Sequence, residues 1–221
     1  MFKITKNKIK IALFILGILF LLYPIFSNIM YKITQTVAIT HYQEQVENMT
    51  DEEKEDIKQE FKEYNKKLNE KVVSKIDLLS SIKIVGYIDI PKIGVSTVIK
   101  EGTTNSTLYN CVGHLEATSY PGEKNTHCVL AGHSGLSNAR IFDDLNKLEN
   151  EDIVYVTFLD ETYSYKVIET KIVDKDAKEE FKVKKDKELL TLITCVPRFI
   201  NSHRLLVTCE RVYNTDKFLF Y

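Results

Sequence analysis

Hydrophobic and polar positions divide this chain into three regimes. From Ile11 to Tyr31 runs IALFILGILFLLYPIFSNIMY, 21 residues without a charge. A helix rising 1.5 Å per residue crosses a bilayer core with about 20 such residues. Further on, Ile57, Phe61, Tyr64, Leu68 and Val72 recur at steps of three and four among charged residues, one apolar stripe on a helix of about 51–72. Thr50 followed by Glu53 has the spacing of a capping box at its start. From Ile82 onward the period shortens to two. It predicts strands at 83–90, 95–100, 126–131, 152–158, 162–173, 188–195 and 204–212, rich in Val, Ile, Thr and Tyr. Ile141, Phe142, Leu145 and Leu148 fit a short helix between two of them. Strands joined by short links read as an antiparallel sandwich or a small barrel.

Charge placement orients the apolar segment. Lys3, Lys6, Lys8 and Lys10 precede it and acids become frequent after it, so the N-terminus is expected in the cytoplasm and residues 32–221 outside. A cleaved signal peptide is the rival reading, but its apolar core would be shorter and end in small residues, not in Phe26-Ser27-Asn28-Ile29. The expected organisation is a cytoplasmic stretch 1–10, a transmembrane anchor 11–31, a helical stalk or linker 32–81, a catalytic domain 82–213 and a tail 214–221. The amphipathic helix is expected to pack on the domain; a coiled-coil dimer would need at least three heptads.

Composition mainly excludes. Lys+Arg 30 against Asp+Glu 31 gives nucleic acid no electrostatic footprint. Cys111, Cys128, Cys195 and Cys209 form no tight pair, and the one mixed half-site, Cys128 to His133, lacks the ligand spacing of zinc. No metal or cofactor is expected.

Chemistry concentrates near the chain's end. The apolar run Leu189 to Thr194 ends on Cys195, and after eight intervening residues Arg204 opens the next strand. A hairpin through Pro197 would set a thiol and a guanidinium side by side. Cysteine is strongly nucleophilic as its thiolate, and arginine stays charged and offers planar donors to a developing oxyanion. The bland alternative makes Cys195 a small buried hydrophobe and Arg204 a surface residue. A proton carrier is the missing partner. His133, between Gly132 and Ser134-Gly135 at a strand end, is the first candidate and His114 the second. His127 and His203 lie in polar runs where hydrogen bonding to the backbone is the simpler role.

Thr191-Leu192-Ile193-Thr194-Cys195 resembles the TLxTC signature of sortases, with Arg204 where their essential arginine lies. Leu130-Ala131-Gly132-His133 is similar to the segment carrying their histidine, and 86–93 to their first strand. Gly113 to Ser119, Asn125 to His127, 135–142 and Asn201 to Val207 extend the likeness over about 83–212, most like the class C, pilin-polymerising members; 118–123 leans toward class D.

The resemblance implies a mostly β fold: a closed eight-stranded barrel with short helices, preceded by a transmembrane and an amphipathic helix. It implies a cysteine transpeptidase with Cys195 as nucleophile, His133 as acid/base and Arg204 holding substrate or oxyanion. Its partners would be an LPxTG-like sorting signal, an amine acceptor (a pilin lysine or a peptidoglycan cross-bridge) and, through residues 11–31, the membrane of a Gram-positive cell. A plain cysteine endopeptidase or a non-catalytic surface binding protein are the rival classes. Residues 73–81 contain no proline and look too short for a class C lid, so the groove is expected to be open.

Overall fold

The computed structural model describes residues 6–70, 84–134, 141–198 and 200–213. Its first element is one uninterrupted helix, α1 (Lys6–Glu47), with Pro24 inside it. Among the described residues it is the one helix long and apolar enough to cross a membrane. The sequence predicted a helical stalk or linker after residue 31 without placing a helix before about residue 51; the structure carries the anchor helix on to Glu47. That added portion has a buried stripe of its own in Gln35, Tyr42 and Val46.

Helix α2 (Asp51–Asn69) starts on the predicted capping box: the Thr50 side chain accepts from the Glu53 N–H, and the Glu53 carboxylate accepts from the Thr50 N–H at 2.8 Å. Ile57, Phe61 and Tyr64 are buried in the main core and Leu68 packs on it, so the helix docks on the domain as its stripe requires; Val72 lies outside the described residues. Thr50→Ala should lower stability by about 1 kcal/mol, the usual value of an N-cap, read as a fall in the denaturant midpoint of the detergent-solubilised chain.

The strands are β1 (Gly86–Ile90), β2 (Val95–Glu101), β3 (Val112–His114), β4 (Thr126–Ala131), β5 (Ile153–Phe158), β6 (Glu161–Asp174), β7 (Glu188–Val196) and β8 (His203–Arg211). They close into a barrel in the order β1-β2-β3-β4-β7-β8-β6-β5. A short helix α3 (Asn105–Leu108) lies between β2 and β3. Periodicity found seven strands and missed β3, three residues buried throughout, which give no alternation to read. The all-antiparallel expectation is also corrected: β2 pairs β3 in parallel, and so do β4 and β7. Ile141, Phe142, Leu145 and Leu148 are buried as expected, on a turn and one 3-10 turn (Leu145–Lys147) in place of an α-helix.

Alternation fills the barrel. Ile88, Ile99, Leu130, Val156, Leu190, Leu192 and Val207 point into the core, so their odd-numbered or even-numbered neighbours on each strand face outward. β4 and β7 run toward one end of the barrel, where β2, β5 and β8 begin. Helix α2 packs near the other end: its Asn65 exchanges hydrogen bonds with the Tyr120 backbone at 2.8 and 3.1 Å, and Phe61 stacks on Tyr120.

Candidate active site

Leu190, Leu192 and Thr194 share the inner face of β7, and Thr194 fastens its hydroxyl to Gly132 O at 2.8 Å. The next residue, Cys195, therefore turns outward at the strand's end, where it is half-buried. Its cross-strand partner in the antiparallel register is Arg204. The hairpin expectation for those two residues is met by this pairing.

On the other side of β7, Ala131 is in parallel register with Ile193. Gly132 N–H continues the ladder to Ile193 O at 3.1 Å, and Ser134 Oγ donates to Cys195 O at 2.6 Å. Residues 132–134 thus run alongside 193–195, and His133 falls at the level of Cys195. The three residues singled out from sequence occupy neighbouring positions on three adjacent chains: His133, Cys195, Arg204. Gly132 has a steric reason to be glycine, since a Cβ there would meet the Phe142 ring at 2.6 Å.

Cys195 opens onto a cavity of about 500 Å³. Phe142, Ile172, Val196, Pro197 and Leu205 give it an apolar lining, and Asp143, Asn146, Arg198 and His203 a polar one. Arg198 donates to Asp143 O at 3.0 Å and pairs with its carboxylate at 3.3 Å, tying the β7–β8 link to the segment after β4. Sequence reasoning missed Asp143 and Asn146, which no motif marks. It assigned His203 a bland role; His203 lines the cavity, its Nδ1 2.8 Å from Ser202 Oγ and its Nε2 3.5 Å from Asp174. Arg204 is half-buried, and its Nη1 donates to Asn201 O at 3.1 Å and His203 O at 3.0 Å, which holds the guanidinium against the loop. Residues 135–140, part of the sequence likeness, and the 73–81 interval lie outside the described residues.

The second histidine candidate is elsewhere. His114 is fully buried, its Nδ1 2.9 Å from Glu101 Oε2, its ring stacked on Tyr120 beneath α2. Burial works against its charge, but the neighbouring Cys128 and Glu101 outweigh that and push its pKa up to about 10. Burial would raise the Glu101 pKa, yet hydrogen bonds from His114 and Tyr120 bring it below the usual carboxylate value. A raised histidine stabilises the fold fully below its unfolded pKa of 6.5, and that contribution is lost as pH rises through about 10. The unfolding midpoint should accordingly fall across this window, and Glu101→Gln should flatten the fall; an equal slope in both proteins would show that the pair carries no charge. His127 has the structural role expected of it, with Nδ1 3.0 Å from Lys182 O and Nε2 2.7 Å from Thr191 Oγ1.

All four cysteines are free, and the three besides Cys195 are buried. Among the described residues no cluster of His, Cys, Asp or Glu is arranged to hold a metal.

Comparison with known proteins agrees with this architecture. The sortase domain family model matches residues 88–212, more than half of the chain. Among characterised proteins, sortase D of Bacillus subtilis is 36% identical over 112 residues, which are 51% of this chain and 54% of the relative. Sortase A of Listeria monocytogenes is 30% identical over 112 residues, 51% of this chain and 49% of that protein. The chain spans about half the length of the curated relatives it matches. Among solved structures, sortase C of Clostridium perfringens, determined with its C-terminal cell wall sorting motif, superposes with a TM-score of 0.76 at 38% identity, over 81% of this chain and 100% of that one. Sortase C of Streptococcus pneumoniae, whose structure concerned pilin substrate specificity, gives 0.73 at 32% identity, over 81% and 98%. Structural superposition and sequence agree, and the chain belongs to the sortase family.

Proposed function

We propose that this protein is a membrane-anchored cysteine transpeptidase that cleaves an LPxTG-like sorting signal and passes the acyl group to an amine. The observation that carries the reading is the register that sets His133, Cys195 and Arg204 abreast, with Cys195 lining the groove. In the first step the Cys195 thiolate attacks the Thr carbonyl carbon. The oxyanion that forms is met by the guanidinium of Arg204, the C–N bond to Gly breaks, and His133 protonates the departing amine. In the second step an acceptor amine attacks the thioester and gives its proton to His133. The C–S bond then breaks and the thiolate is restored. The acceptor we assign is a pilin lysine, supported by the likeness to sortase C structures.

Incubating the full chain in detergent with an LPxTG-type peptide and either a pilin-lysine peptide or a peptidoglycan cross-bridge amine tests each part. Transfer to the lysine peptide is expected. Preference for the cross-bridge amine would make it a cell-wall anchoring enzyme, hydrolysis alone an endopeptidase, and binding without cleavage a non-catalytic surface protein.

The histidine assignment has its own test. His133→Ala should be nearly inactive, while His114→Ala and His203→Ala should retain measurable transfer. If either of the latter two were the dead variant, the proton would belong to that residue.

Anchoring is proposed through residues 11–31 of α1, in a single pass with the N-terminus cytoplasmic. The protein should fractionate with membranes and require detergent for release. A soluble mature form starting after about residue 30 would make the segment a cleaved signal.

A further inference from the structure

α1 does not end where the charge-free run ends. The same helix passes directly onto the barrel, and its contacts follow an order. Tyr31, the last residue of that run, lies with its hydroxyl 3.3 Å from Thr97 Oγ1, near the start of β2. Gln35 accepts from Thr97 Oγ1 at 2.7 Å and donates to Asn110 O at 2.9 Å. Tyr42 then donates to Val85 O at 2.9 Å and accepts from Leu159 N–H at 2.7 Å, before β1 and after β5. β2 starts at the Cys195 end; β1 starts and β5 finishes at the other. Over the roughly 16 Å from Tyr31 to Tyr42, α1 therefore advances away from the Cys195 end. Everything before Tyr31 projects past that end.

From this order of contacts we infer that the Cys195 end of the barrel faces the bilayer and rests among lipid headgroups. The inference depends on the proposed anchoring. It follows from the lack of any spacer: the membrane helix leaves the apolar core near Tyr31 and touches Thr97 there. Val95 and the links around the barrel mouth lie a further two residues toward the membrane, about 7 Å along the strand. A headgroup layer is roughly 5–8 Å deep on each side. The contacts at Gln35 and Tyr42 on one continuous helix resist tilting the barrel away.

The surface that would meet the lipid fits it. Ile200 in the β7–β8 link is 72% exposed and Ile172 on β6, beside the groove, is 63% exposed. Several cations at this end are paired with acids, Lys92 with Glu149 and Asp152, Lys147 with Asp144, Arg198 with Asp143, while Arg204 is held by the Asn201 and His203 carbonyls. An apolar rim with locally balanced charge suits zwitterionic headgroups and needs no anionic lipid.

The test uses the full chain with Cys195→Ala, whose remaining cysteines are buried. A fluorophore is attached at Ile200→Cys or Lys92→Cys on the proposed membrane side, or at Glu116→Cys beyond β3 on the opposite side. Each protein is reconstituted into phosphatidylcholine vesicles carrying a headgroup nitroxide. Quenching at Ile200→Cys and Lys92→Cys is expected to exceed that at Glu116→Cys several-fold, with no change on adding phosphatidylglycerol. Equal quenching at all positions, or stronger quenching at Glu116→Cys, would overturn the orientation while leaving the anchor in place. Protein that fails to float with the vesicles would overturn the anchoring reading and the orientation with it.

Discussion

Cys195→Ala is expected to abolish thioacyl formation with an LPxTG-type peptide and to leave the barrel folded. The change removes the only thiol that opens onto the groove among the described residues. Because Cys195 faces outward at a strand end and is half-buried, truncating it leaves no cavity in the main core, where Leu190 and Leu192 do the packing. Its structural cost should be within the range of ordinary surface changes, about 0.5 kcal/mol.

The remaining thiols are poor substitutes. Cys209 lies inside the barrel, and burial pushes its pKa far above that of a free thiol; burial raises that of Cys111 as well. A buried thiol held in its neutral form supplies little thiolate to attack a carbonyl. Intact-mass measurement after mixing with peptide checks the outcome. An adduct retained in the variant through Cys111, Cys128 or Cys209 would sink the assignment.

The legibility of this fold varied with how strongly burial patterns the sequence. Long strands announced themselves in two ways, β6 by alternation and β7 and β8, buried on both faces through their middles, by apolar and β-branched runs, and their ends were placed within a residue. β3 was hidden because Val112, Gly113 and His114 are all buried, so no polar position marks its wet side. The second half of α1 was hidden for a different reason. Its buried stripe includes Gln35, a polar residue at a core position, which breaks the apolar period. Only the structure reveals the partners that satisfy it, Thr97, Val98 and Asn110.

Parallel pairing is not written in any single strand. It depends on which strands become neighbours, and β4 and β7 are joined after two others have intervened.

Around the site, the strand-end positions of Cys195 and Arg204 followed from the run Leu189 to Thr194 and the length of the link behind it. Their shared face followed from the hairpin. His133 was reached through the family likeness and the glycines around it; its level beside Cys195 comes from a parallel register that a single sequence does not contain. His114 and His133 each follow a glycine at a strand end, so sequence gave little to separate them. The structure does so through burial and the Glu101 contact. The groove's polar wall of Asp143, Asn146 and Arg198 joins segments over fifty residues apart, and no local pattern foretells such a meeting.

Arg204→Lys should lose roughly 10²–10³ in kcat/KM, the scale of a lost oxyanion donor, though the charge is kept. The resting geometry explains why charge alone is insufficient. Nη1 spends its two protons on Asn201 O and His203 O, which fixes the plane of the guanidinium at the start of β8. Among the described residues no other hydrogen bond of Arg204 is made, so Nε and Nη2 would be the donors available to an oxyanion formed at Cys195, its cross-strand neighbour. On the proposed mechanism one planar group would do two jobs: it is held by the loop and would present donors to the reacting carbonyl. A lysine ammonium is a single centre on a flexible stem, and holding the loop carbonyls would take it away from the oxyanion. The loss should fall on kcat more than on KM, because the oxyanion exists only as the bond changes. Near-wild-type turnover in Arg204→Lys would remove the residue from the chemistry. The role would then pass to Arg198, which lines the groove with Cys195 and is paired with Asp143. In that event Arg198→Lys should show the large kcat loss instead.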